Sequence, residues 1–240
     1  MDGRVARIAG VAAVGLALTS CSDPPGPAPA MPAPDIPEDA IAYDELRSTA
    51  QRPFPFTDDC AQISPEVAQQ AGLAGEMETL DDALLDGCVL DAGADQPFGW
   101  LGVHGVRPSN DPDDDTAGES AFEGEWRGGS WTQGHFERSI LLDRYYAVTT
   151  FDGENGSASC NVVVDTGSQR ALEFIGYLEE EAGRAKHAEI FDDQYSSEPS
   201  DRDALETFVS EHCPAVREAA EVLLTEAIDP GGGSLATELK

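Results

Sequence analysis

The sequence predicts an α+β fold in which N-terminal and C-terminal helices pack on an antiparallel sheet stapled by disulfides. Three observations carry this expectation. Between residues 88 and 178, short segments rich in β-branched and aromatic residues alternate with turn signals. Apolar residues recur at helical spacing on both sides of that run. Four cysteines, Cys60, Cys88, Cys160 and Cys213, are spread over both halves of the chain, an even number suited to bridging in an exported protein. Helices flanking a set of hairpin-connectable strands define the α+β arrangement.

Taken in order, Ser64 is a good N-cap with Pro65 at the first helical position, so a helix opens through Val67, Ala68 and Ala71. Leu80 to Leu85 reads as a second short helix ended by Gly87. Cys88 to Leu90 and Gly99 to His104 are strand-like, residues 108–121 form an acidic loop, and Trp126 to Gly134 is turn-rich. Tyr145 to Phe151, Cys160 to Val164 and Ala171 to Leu178 read as strands, the last two joined by a turn at Thr166, Gly167 and Ser168. Asp203 to Glu211 carries Leu205, Phe208 and Val209 on one helical face. Pro214 is expected to start a separate helix with Val216, Ala219, Ala220, Leu223, Leu224 and Ala227 at helical spacing. Asp229 and Pro230, followed by three glycines, end it.

The first twenty-one residues describe export. Arg4 and Arg7 form a positive region, and Ile8 to Leu18, IAGVAAVGLAL, is an eleven-residue apolar stretch, the length of a signal-peptide core and too short to span a bilayer. Leu18-Thr19-Ser20-Cys21 then resembles a bacterial lipobox, which implies cleavage before Cys21 and lipid on its sulfur. A thiolate is the strong nucleophile such an attachment needs. The absence of an adjacent Arg pair favours general secretion over the twin-Arg route. Ser22 to Pro37 holds seven prolines in sixteen residues. Such a segment extends as polyproline II at about 3.1 Å per residue, a spacer of roughly 50 Å. The expected organisation is therefore a signal peptide over 1–20, a lipidated Cys21 and spacer over 21–52, one α+β domain over 53–230 and a flexible tail over 231–240. The expected address is the extracytoplasmic face of the cell membrane, held by the lipid.

Charge excludes one class of partner. Among 240 residues, 46 are Asp or Glu and 14 are Lys or Arg, for a net charge of −32, and Lys186 and Lys240 are the only lysines. Nucleic-acid binding draws on clustered Lys and Arg, which this chain lacks. Few lysines and abundant Ala, Gly, Pro and Asp fit a GC-rich genome, and the acidity fits a salt-tolerant host. With Cys21 committed to lipid, the other four cysteines allow three pairings. Cys60–Cys88 with Cys160–Cys213 is favoured because each closes a loop within one half of the chain. A zinc site is disfavoured by the wide gaps and the lack of a C-x-x-C pair.

Three segments are similar to an uncharacterised family of actinobacterial secreted lipoproteins with two cysteine pairs. Phe56 to Ala68, FTDDCAQISPEVA, resembles its cysteine followed by an apolar-Ser-Pro-Glu helix start. Cys160 to Asp165, CNVVVD, resembles its second-half cysteine strand, and Cys213 to Leu223, CPAVREAAEVL, its terminal cysteine and Ala-rich helix. The likeness covers Pro53 to Pro230. Members commonly carry Trp two residues after the second cysteine, where Leu90 stands here. The resemblance implies anchoring and two disulfides, and brings no established activity.

Candidate chemistry is sparse. Val162 to Ser168, VVVDTGS, resembles the nucleophile turn of aspartic proteases, but that chemistry needs two carboxylates sharing a proton, hence a dimer of this chain. Phe174-Ile175-Gly176 follows too closely to pack beneath the turn, so a strand leaving the sheet is the plainer reading. Asp111, Asp113, Asp114 and Asp115 suit calcium by ligand type but lack the spacing of a calcium loop. His187-Ala188-Glu189 matches the start of a zinc deaminase signature whose cysteine half is missing, and is rejected. His104 and His135 read as packing or surface residues. Trp100, Trp126 and Trp131 around a Gly-rich stretch are candidates for the floor of a binding pocket, with core packing the commoner role. No catalytic constellation, resident metal or cofactor is expected. The preferred expectation is a non-enzymatic envelope lipoprotein that binds a protein partner or a small envelope ligand. The alternative is an extracytoplasmic hydrolase using Asp165 or an acidic pair.

Overall fold

In the computed structural model, residues 43, 52–81, 86–109, 119–127, 135–153, 157–191 and 202–235 are described. Cys21, the spacer prolines, Asp111 and Asp113 to Asp115, and Trp131 lie outside them. These described residues build a seven-stranded antiparallel sheet. β1 (Leu73–Asp81), β2 (Asp86–Ala92) and β3 (Trp100–Val106) form one meander; β4 (Phe136–Leu141), β5 (Tyr145–Asp152), β6 (Ala158–Asp165) and β7 (Ala171–Leu178) form another. The order β1-β2-β3-β7-β6-β5-β4 seats β7 beside β3, so the first meander and the last strand meet at the centre of the sheet.

Among the described residues, α-helices pack around it. α1 (Pro65–Gln70) begins as expected: Ser64 Oγ accepts from the Val67 N–H at 3.3 Å, with Pro65 at the first position. α2 (Ala121–Trp126), α3 (Glu180–Lys186), the single turn α4 (Ala188–Phe191) and α5 (Arg202–Leu223) follow. α5 closes in a wide turn, Leu224–Ile228, where the Asp229 N–H reaches the Leu224 carbonyl at 3.0 Å. Among the described residues no helix is long and apolar enough to cross a membrane.

The main core lies between one face of the sheet and α5. Leu101 and Val103 of β3, Leu172 and Phe174 of β7, and Cys160, Val162 and Val164 of β6 meet Val216, Ala219, Ala220 and Leu223. All are nearly or wholly buried, and each large side chain so buried stabilises the fold by about 2 kcal/mol. The approach is close enough that a Cβ on Gly176 would overlap Val216 Cγ2. Both favoured disulfides are formed, Cys60–Cys88 and Cys160–Cys213. The first ties the entry to α1 to β2, and the second ties α5 to β6. Closing loops of 28 and 53 residues, they contribute roughly 3–4 kcal/mol each in the chain-entropy model. Formed bridges of this kind belong to an oxidising, extracytoplasmic environment.

Three local expectations of secondary structure are corrected. Leu80 and Asp81 end strand β1 rather than starting a helix: Thr79 pairs with Cys88 and Leu80 with Gly87, so ladder pairing beside the disulfide overrides helical propensity. Pro214 does not start a helix but sits inside α5. An interior proline costs about 3 kcal/mol, which the continuous buried stripe from Leu205 to Leu223 and the Cys213 bridge offset. The acidic loop ends in a helix, α2, whose last residue is Trp126. The segment after residue 230 stays engaged: Ser234 is fully buried and its N–H donates to the Arg144 carbonyl at 2.9 Å. Residues assigned to the spacer also join the domain. Arg52 grips Asp229 with two hydrogen bonds of 2.9 and 2.7 Å, and the Tyr43 hydroxyl donates to Asp165 Oδ2 at 3.1 Å.

Gly176→Ala is expected to lower unfolding free energy by about 1–3 kcal/mol, because α5 must lift or Val216 must leave its rotamer. Urea denaturation checks this, and an unchanged midpoint would mean that α5 is not held tightly on β7.

Candidate functional site

Strand alternation sends every second residue to the face opposite α5. There β3 presents Trp100, Gly102 and His104; β7 presents Tyr177, Ile175 and Glu173; β6 presents Ser159, Asn161 and Val163. The ladder aligns them as Trp100 with Tyr177, Gly102 with Ile175, and His104 with Glu173. The first and last of these pairs are four residues apart on each strand, roughly 14 Å at the usual rise.

At one end of this strip Trp100 stacks on Tyr177, with ring centroids 4.4 Å apart and planes 22° from parallel; both rings are half-buried. Gly102 leaves room beside them, since a Cβ there would lie 3.3 Å from Trp100 Cζ3. Ser159 and Asn161, joined by a 2.8 Å hydrogen bond, flank the pair on the next strand. At the other end His104 Nε2 and Glu173 Oε2 stand 2.8 Å apart, with side chains 15% and 16% exposed.

α2 covers the far end. Its start is a reciprocal cap: Ser120 Oγ accepts from the Glu123 N–H at 3.3 Å, and Glu123 Oε2 accepts from the Ser120 N–H at 2.8 Å. A bond from the Ala121 N–H to the Gln169 carbonyl, 3.0 Å, docks it on the β6–β7 turn. Phe122 and Trp126 then pack with Tyr43, Tyr146 and Val148 in a second, smaller core. Tyr43 stacks on Trp126 at 5.3 Å, and the Arg138 guanidinium lies 5.3 Å above the same indole. The turn before Trp126 brings Glu125 towards Glu173. Burial, and then the Glu173 charge, push the Glu125 carboxyl up to about 7. The face thus carries a stacked aromatic pair, a His–Glu pair and a carboxyl that burial raises to about 7.

The tryptophans divide. Trp100 belongs to the half-open platform, whereas Trp126 is 4% exposed and roofs the small core. Asp165 is fully buried. Its Oδ1 accepts from the Gly167 N–H at 2.8 Å and its Oδ2 from Tyr43, so the carboxylate holds the turn in which Gly167 takes a φ of +75°. Phe174, Ile175 and Gly176 lie within β7. His135 sits beside β4 with its basicity lowered by burial. Burial, then the charges of His187 and Lys186, lowers His212 to about 4. His187, Glu211 and His212 are gathered on the α5 side, and among the described residues they form a group with metal-ligand chemistry. A cleft of about 550 Å³ on that side is lined by Gln70, Gln96, Glu218 and Glu226 and has neither an aromatic ring nor a histidine in its walls. Glu125 and Glu173 escape a sequence scan because they are far apart in the chain and in no recognisable spacing. The Ser120–Glu123 box was the legible signal for the helix that carries Glu125.

No family model, curated protein or solved structure matches this chain.

Glu125 makes a signed pH prediction. Its folded pKa lies above the ordinary 4.5, so the folded state holds a proton that the unfolded state has lost. Its contribution to stability is fully present below about pH 4.5 and is lost as pH rises through about 7. Glu125→Gln is expected to raise unfolding free energy by on the order of 3 kcal/mol at pH 8 and hardly at all at pH 4. Urea titrations at the two pH values check this, and equal effects at both would contradict it.

Proposed function

We propose that this chain is an extracytoplasmic envelope protein, lipid-anchored through Cys21, whose domain binds a small envelope ligand on the face built from Trp100, Tyr177, His104 and Glu173. The stacked Trp100–Tyr177 platform is the observation that carries the binding reading. A half-buried, stacked pair of rings offers apolar contact area for a ligand packed against it. Carboxylate and imidazole groups along the same strip suit a ligand with one planar or ring face and several hydrogen-bond donors. A net charge of −32 discourages anionic ligands. The disulfides, the lipobox and the likeness to actinobacterial secreted lipoproteins support the address. The Pro-rich spacer would hold the face clear of the lipid.

Native mass spectrometry of the protein extracted gently from its own cells tests the binding reading. Wild type is expected to retain a small-molecule mass that Trp100→Ala loses. A mass retained equally by the variant would move the ligand elsewhere, and a larger assembly would replace the ligand with a protein partner. Cys21→Ser is expected to shift the protein from the membrane fraction to the soluble one. Unchanged retention and unchanged precursor cleavage would refute lipidation.

A second reading, an extracytoplasmic hydrolase, draws on Glu125. A carboxyl raised to about 7 by burial and by the charge of Glu173 has the kind of shift that acid–base catalysis uses. In that case the acidic pair would be Glu125 and Glu173 rather than Asp165, whose oxygens are engaged in the turn. Hydrolysis of envelope extracts abolished by Glu125→Gln would favour it over binding alone.

A further inference from the structure

We propose that His187, His212 and Glu211 form a binding site for one divalent transition-metal ion of the zinc type. His187 caps the end of α3 at the corner leading into α4, and its backbone is fixed there by bonds from its N–H to Gly183 and from the Ile190 N–H to its carbonyl. Glu211 and His212 are consecutive residues of α5. The site therefore joins two elements distant in sequence, as a structural or regulatory metal does.

The geometry is close to that of a loaded site. His187 Nε2 and His212 Nε2 are 3.0 Å apart, and His187 Nε2 is 3.6 Å from Glu211 Oε2. All three ligand atoms lie within 4.8 Å of one another. Ligands held about 2.0–2.1 Å from a tetrahedral zinc ion stand roughly 3.3 Å from each other. The imidazoles need only part slightly, and the Glu211 side chain, 55% exposed, is free to swing inward from solvent. Two histidines and one carboxylate leave a fourth position for water, and the nitrogen-rich set selects zinc, nickel or copper over magnesium or calcium.

The surroundings hold both rings in place. Phe208 stacks on His212 at 4.1 Å and 12°, and meets His187 edge-on at 5.3 Å. The neighbouring Cys213 is bridged to Cys160 on β6, which fixes this turn of α5 to the sheet and keeps that sulfur out of the ligand set. A purely structural imidazole pair is the competing explanation. Metal titration separates the two, because His212, 1% exposed with its Nδ1 buried and without a hydrogen-bond partner, carries that nitrogen unpaired in either case. A metal would replace the single shared hydrogen bond with a coordinate bond to each ring. The imidazole carrying the shared Nε2 proton would move that proton to Nδ1, with no net change in charge on the pair.

The test uses the full chain, treated with chelator and titrated with zinc chloride in a calorimeter. Excess calcium is present to occupy the acidic surface. The expected result is one zinc per chain, a raised melting temperature, and affinity lower by roughly tenfold or more in both His187→Ala and Glu211→Gln. Glu211→Gln changes a half-exposed side chain and so leaves folding intact, which keeps the test decisive where a histidine variant fails to fold. Cobalt substituted for zinc should give the visible absorption of a four-coordinate nitrogen–oxygen site. No calcium-resistant zinc binding by the wild type would overturn the proposal. So would zinc binding that Glu211→Gln and His187→Ala leave unchanged.

Discussion

The contact of α5 with the central strands β6 and β7 is the constraint on which the rest of the molecule depends. It combines an apolar stripe, a covalent bridge and a missing side chain. Val216 occupies the space that a Cβ on Gly176 would fill, Cys213 is bonded to Cys160, and Ala219 and Ala220 keep the helix low over the sheet. Small residues at the crossing let backbone approach backbone, and the larger Leu223 and Phe208 fill the flanks. With α5 fixed this way, one face of the sheet is committed to the core and the opposite face is left for other uses.

A second fastening closes the domain at its ends. Arg52 reaches Asp229 through a two-pronged ion pair and also donates to the carbonyls of Thr166 and Gly233. The pairing with Asp229 raises the basicity of Arg52, while burial, and then Asp229, raises that of Tyr145, whose hydroxyl donates to the same carboxylate. One guanidinium thus ties together the segment before the domain, the turn after β6 and the segment after α5. Arg suits this role because its planar fork meets a carboxylate at two points while a further N–H serves backbone. Asp165, which draws attention as a catalytic residue in the sequence, belongs to this fastening through Tyr43 and the Gly167 turn.

The two polar centres lie on opposite sides of the sheet and are built differently. The His104–Glu173–Glu125 group comes from adjacent strands and a capped helix, at the opposite end of the strip from the stacked Trp100–Tyr177 pair. The His187–Glu211–His212 group comes from a helical corner set against α5. The first group is half-buried throughout, whereas in the second both histidines are buried and Glu211 reaches solvent. Neither centre uses a spacing that a motif would reveal. The Glu173 charge acts on Glu125 because α2 docks on the β6–β7 turn, and His187 meets His212 where the corner between α3 and α4 packs against α5.

Residue types and local spacing were enough to read the cysteine staples, the strands from Tyr145 to Leu178, the Ser64–Pro65 helix start and the apolar face of the last helix. These depend on neighbours within a turn or a strand, which is the range over which side-chain periodicity and capping act. Local signals misread Leu80 and Asp81, where pairing with β2 outweighs propensity, and Pro214, where burial on both sides carries a helix through a residue that would end it alone. The proposed membrane address, read from Leu18 to Cys21, rests on sequence by itself. Which carboxylates and imidazoles become neighbours was decided only by the tertiary structure. Their proximity comes from strand register, helix docking and a disulfide acting across long separations, and no local pattern encodes those distances.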